Sequence, residues 1–118
     1  MGYYTEYSLT WEATPSATLS PQSIALSVAM QIEECGEASY ALTPEGQQAE
    51  ASRWYEHEGF LESLSSSLPG VVFTLEGHGE ERHDLWRKYA YNGAIVDRVV
   101  AVLSWPTPKR LSALGVIR

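Results

Sequence analysis

The chain has one cysteine, Cys35, among its 118 residues, which excludes an internal disulfide framework. A fold that needs no disulfide needs no oxidising compartment, so the sequence reads as cytosolic. Long apolar runs are also missing. No segment approaches the roughly 20 residues that span a bilayer, and MGYYTEYSLTW has no basic stretch ahead of an apolar core, as a secretory signal would. MGYYTE lacks the Ser or Thr at the sixth position that marks myristoylation. Cations are scarce: eight Lys and Arg stand against fifteen Asp and Glu, for a net charge of −7. The imbalance is local. Residues 1–62 hold ten glutamates and only Arg53, giving −9, whereas residues 63–118 hold five acids and seven bases, giving +2. Binding to a nucleic-acid backbone needs clustered cations, so direct, non-specific nucleic-acid binding is excluded. The acidic first half suits a basic surface on another protein.

Apolar material is plentiful. At 44% hydrophobic, with four tryptophans and seven tyrosines, the chain can fill the core of one small domain and is too short for two. No repeat or low-complexity tract interrupts it. In GYYTEYSLTWEA, the residues Tyr3, Thr5, Tyr7, Leu9 and Trp11 alternate with polar positions, the period of a strand with one apolar face. After a TPSATLSP loop, Ser20 and Pro21 read as the N-cap and first residue of a helix, and Gly36 as its stop. Between them Ile24, Ala25, Val28, Ala29, Ile32 and Cys35 form the inward stripe. Thr43 to Gly46 reads as a turn, and QAEASRWY as a short strand. HEGFLESLSSSLPG reads as a second helix with Phe60, Leu61, Leu64 and Leu68 inward, ended by Pro69 and Gly70. VVFTLEG, HDLWRKYAY and AIVDRVVAVLSW are strands. Asn92-Gly93 between the last two is a type I′ hairpin signal, and Pro106 and Pro108 end the sheet.

This order gives an α+β fold: a mainly antiparallel sheet of four to five strands with two helices packed on one face. Residues 1–105 form the domain and residues 106–118 a basic tail. A two-residue turn at Asn92-Gly93 sets a register in which Lys88 faces Asp97, Arg87 faces Arg98 and Trp86 faces Val99. Opposed arginines repel unless an anion lies between them.

Three segments carry a resemblance. GYYTEYSLTW, RWYEHEGFLESLS and LPGVVFTLEGHGEERHDLWRKYAYNG resemble a set of small bacteriophage-encoded proteins. These share an aromatic N-terminal strand, a Trp-Tyr-x-His-Glu segment entering a helix, a Pro-x-Val-x-Phe-x-Leu-x-Gly-x-Gly-Glu-Glu segment and an Asp-x-Trp-x-x-Tyr-x-x-Asn-Gly hairpin. The matching residues here include Trp54, Tyr55, His57 and Glu58, then Gly77 and Gly79, then Asp84, Trp86, Lys88 and Tyr89. Arg82-His83 departs from the pattern. The resemblance covers most of the chain except the tail and the region near Thr43. It implies phage origin and the fold, and it carries over no catalytic residue. Phage proteins of this size are often counter-defence factors, which makes a bacterial defence protein the expected partner and the host cytoplasm the expected place of action.

His57, His78 and His83 lack the spacing of a zinc motif, and GHG lacks the Lys-Ser/Thr of a phosphate loop; its glycines read as turn residues. Glu80, Glu81, His83 and Asp84 read as solvated loop groups rather than acid–base catalysts. No catalytic residue, metal or cofactor is assigned, and the chain reads as non-enzymatic. Leu26, Met30, Glu33, Glu34 and Glu37, on the outer side of the first helix, read as a surface for a basic, partly apolar partner or for a second copy of the chain. The alternative is a small-molecule site for a nucleotide signal on one sheet face, built from Arg87, Tyr89, Tyr91 and Arg98.

Overall fold

A computed structural model of the chain describes residues 4–79 and 84–100. The fold is the α+β arrangement read from the sequence. Strands β1 (Thr5–Ala13), β2 (Val71–Gly79), β3 (Leu85–Tyr91) and β4 (Ala94–Val100) form one antiparallel sheet in the order β1-β2-β3-β4. Helices α1 (Pro21–Glu34), α2 (Gly36–Ala41) and α3 (His57–Ser67) all lie in the connection between β1 and β2. Among the described residues no helix is long and apolar enough to cross a membrane. The basic tail and the segment Glu80 to His83 lie outside the described residues.

Alternation assigns the two sheet faces. Tyr7 and Leu9 of β1, Val71, Phe73 and Leu75 of β2, and Ala90 of β3 are buried on one face. They join Ile24, Val28 and Ile32 of α1, Ala38 and Ala41 of α2, and Leu61 and Leu64 of α3 in a single core. The other face carries Ser8, Thr10, Thr74, Glu76, Arg87, Tyr89 and Tyr91, none of them buried. Ser20 caps α1 as its sequence predicts, accepting from the Ser23 N–H at 3.2 Å, with Pro21 in the first turn. The inward stripe is narrower than predicted, because Ala25 is exposed.

Two local expectations fail. Gly36 does not stop α1 in a left-handed turn. Instead Cys35 adopts an extended conformation (φ −98°, ψ 115°), and Gly36 opens the short α2. Residues 48–55 form no strand; they touch their neighbours through the isolated bridges Thr5–Ser52 and Leu42–Gln48. Trp54 is 2% exposed in the core and Tyr55 is 74% exposed, and residues 55–56 form the turn that leads into α3.

The hairpin turn is as predicted, with Asn92 at φ 49° and Gly93 at φ 88°. It also anchors α3: the Gly93 N–H donates to Ser65 Oγ at 2.9 Å, and Asn92 Oδ1 accepts from the Gly70 N–H at 2.9 Å. The register beyond the turn differs from the prediction. Ala90 faces Ile95, but Tyr89 faces Asp97, so Val96 is an extra residue in β4, a β-bulge. Lys88 therefore faces Arg98, and Arg87 faces Val99. Neither the Lys88–Asp97 pair nor the Arg87–Arg98 pair forms.

Candidate functional site

The bulge separates the residues of the predicted ligand face. Arg87, Tyr89 and Tyr91 remain together on the open side of the sheet. Arg87 sits across from Glu76 on β2, with Nε 3.4 Å from its Oε2. The Tyr89 hydroxyl and then Glu76 hold the Arg87 guanidinium above its ordinary value. Arg98 is on the opposite face, toward the helices. The expected sharing of one sheet face by Arg87, Tyr89, Tyr91 and Arg98 is thus corrected by the register.

On the helix side Arg98 becomes part of a denser constellation. α3 begins three residues after the buried Trp54, with no side-chain cap at Glu56, and its first residues, His57 and Glu58, reach Lys88 of β3 and Arg98 of β4. His57 Nδ1 lies 2.7 Å from the Trp54 carbonyl oxygen. A carbonyl only accepts, so Nδ1 carries the proton and Nε2 presents a lone pair. The Lys88 ammonium donates to that lone pair at 2.6 Å and to Glu58 Oε2 at 2.7 Å. Arg98 closes on the same carboxylate as a fork, with Nε to Oε2 at 2.8 Å and Nη2 to Oε1 at 2.7 Å. Such bidentate, charge-assisted contacts are the stronger ones.

Aromatic rings hold the constellation in place. Trp86 stacks on His57 with centroids 5.1 Å apart and planes inclined by 27°. Tyr7 meets Trp54 and Trp86 edge to face, at 5.3 and 6.0 Å. Lys88 Nζ is 4.9 Å from the Trp86 ring centre, within the range of cation–π attraction. The indole fits because residue 77 is glycine: a Cβ there would overlap Trp86 Cε2 and Cζ2. Gly77 lies inside β2 without a positive φ. It therefore serves close approach of a ring, and the expectation that it shapes a turn is corrected.

The electrostatics follow from this geometry. Burial lowers the His57 imidazole below its ordinary 6.5, and the Lys88 ammonium pushes the same way. The Arg98 fork first, and Lys88 second, hold the Glu58 carboxyl down to about 2. Burial pushes the Tyr7 phenol up. The site is thus a neutral imidazole beside an ionised Lys-Glu-Arg cluster. Next to it a groove of about 520 Å³ opens between residues 53–57 and the ends of β3 and β4.

The predicted partner surface is elsewhere. Leu26 and Met30 are 64% and 51% exposed on the outer side of α1, Tyr40 of α2 is 58% exposed, and Glu33, Glu34 and Glu37 are exposed beside them. Glu34, Glu37 and Glu56 rim a second cleft of about 400 Å³, with Trp54 and Phe60 in its wall. His78 is exposed, 3.6 Å from Glu76 on its own strand. Among the described residues no three His, Cys, Asp or Glu side chains converge as a metal site would require.

Sequence reasoning passed over His57, Glu58, Trp86 and Lys88 as a site. The available signal was the WYxHE segment and the DxWxK segment: residues 54–58 and 84–88, about 30 apart in the chain, meet here. Comparison with known proteins finds no family model, no curated protein and no solved structure that matches this chain.

Proposed function

We propose that this chain is a non-enzymatic binding protein of phage origin that docks on a basic surface of a bacterial defence protein and blocks it in the host cytoplasm. The observation that supports docking is the outer side of α1 and α2. Two large apolar side chains, Leu26 and Met30, stand in solvent beside Glu33, Glu34 and Glu37. Residues 21–41 contain no Lys or Arg to offset that charge. Exposed apolar residues rimmed by charge of one sign mark interaction surfaces. The adjoining cleft, with acidic rim and aromatic wall, suits an arginine or lysine whose stem packs while its head pairs. The counter-defence role rests on the resemblance to small bacteriophage-encoded proteins.

The test is binding of the full chain to bacterial defence nucleases and their nucleic-acid-binding subunits at two salt concentrations. A basic partner should be held at low salt and released as salt rises, because exposed charges are screened beyond a Debye length. Charge reversal of Glu33, Glu34 and Glu37 should abolish retention. Binding indifferent to salt and to that reversal would sink the acidic-surface reading. A chain that is a dimer, and loses the dimer in L26A/M30A, would instead assign the face to a second copy.

A further inference from the structure

The groove beside His57 is independent of the acidic face and has the opposite character. In a chain of net charge −7, Arg53, Arg87, Lys88 and Arg98 line it against a single acidic lining residue, Asp84. Glu58 binds Lys88 and Arg98 from the side and Glu76 binds Arg87, so the local balance is four positive against three negative charges, an excess of one. The remaining wall is largely aromatic, with Tyr7, Trp54, Tyr55 and Trp86 among the lining residues. Tyr55 is 74% exposed and offers an open ring at the rim. The volume of about 520 Å³ lies within the usual range for small-molecule sites, roughly 300–1,000 Å³.

We propose that this groove binds a small molecule joining a planar ring to a dianionic phosphate, the chemistry of a nucleoside 5′-monophosphate. The ring stacks on the exposed Tyr55, since every base presents a π face to an aromatic side chain. The phosphate meets Arg53 and the Lys88–Arg98 pair, whose N–H donors suit an anion's oxygens. Glu58 and His57 position Lys88, one as anion and the other as lone-pair acceptor, so the ammonium is preset before the ligand arrives. Free nucleotides and the 5′-phosphorylated end of a short strand share this chemistry.

Titrating the full chain with AMP, adenosine, inorganic phosphate and a 5′-phosphorylated trinucleotide tests the assignment, read by tryptophan fluorescence and thermal shift. AMP or the trinucleotide should bind saturably, with adenosine and phosphate each at least about tenfold weaker. Binding by AMP assigns the free nucleotide; binding only by the trinucleotide assigns the strand end. The R53A/Y55A variant changes two exposed side chains and should keep the native melting temperature while losing about tenfold in affinity. No saturable binding of either phosphorylated probe, adenosine binding as tightly as AMP, or R53A/Y55A binding unchanged would each overturn the proposal.

Discussion

Replacing Glu58 with glutamine removes the one anion held between Lys88 and Arg98 while keeping the side chain's shape. Its worth follows from linkage. The carboxyl is drawn from an ordinary 4.5 to about 2, and each unit corresponds to about 1.4 kcal/mol, or about 3.4 kcal/mol if nothing were screened. The Glu58 side chain is 33% exposed, and solvent screening of partly exposed pairs brings the expectation down to about 1–2 kcal/mol. Lys88 keeps the His57 lone pair as acceptor, so no buried cation is orphaned. The sign is fixed: a carboxyl with depressed folded pKa contributes fully above its unfolded value and loses the contribution as pH falls toward its folded one. Urea unfolding followed by tryptophan fluorescence should therefore show E58Q less stable by about 1–2 kcal/mol at neutral pH. The gap between wild type and variant should shrink steadily below about pH 4.5 and close only as pH falls to about 2. A gap under about 0.3 kcal/mol at neutral pH, or one equally wide at pH 3, would refute the view that Glu58 ties α3 to the sheet electrostatically.

Two other substitutions probe the same corner of the molecule. Gly77→Ala forces the Trp86 indole off the sheet and out of its stack on His57, at an expected cost of about 1–3 kcal/mol; near-ultraviolet dichroism should show the tryptophan signal altered, and an unchanged spectrum with native stability would contradict the packing. His57 should titrate below 6.5 by proton NMR of its ring, since burial disfavours its cation. Its folded pKa is lowered, so wild-type stability should decline as pH falls from 6.5 toward that value, and His57→Gln should lack this step in unfolding measurements.

Much of the fold was legible because its signals are short-range. Alternation over Tyr7 to Trp11 fixed the inward face of β1, Ser20-Pro21 fixed the start of α1, and Asn92-Gly93 fixed the hairpin. The failures have a common physical origin in packing between distant segments. Residues 48–55 make isolated bridges to Thr5 and Leu42 rather than a continuous ladder. Register counted outward from the turn holds only to Ala90, where Val96 adds a residue that nothing local announces. The candidate site was the least legible part. His57 and Lys88 are 31 positions apart and Glu58 and Arg98 are 40 apart, so their meeting depends on that bulge, on Gly77 admitting an indole, and on α3 starting at His57.

The bulge at Val96 also decides which charge β4 offers to α3. In an unbroken ladder the inward positions after Ile95 would fall on Asp97 and Val99, and a carboxylate would confront Glu58. With one supernumerary residue they fall on Arg98 and Val100, and repulsion becomes a bidentate clasp. The polarity of the helix–sheet junction is thus encoded by a count of residues rather than by their identity. A one-residue length change between Ile95 and Arg98 should consequently be more disruptive than most side-chain replacements on that strand, unless it removes Val96 itself and leaves the downstream pairing intact.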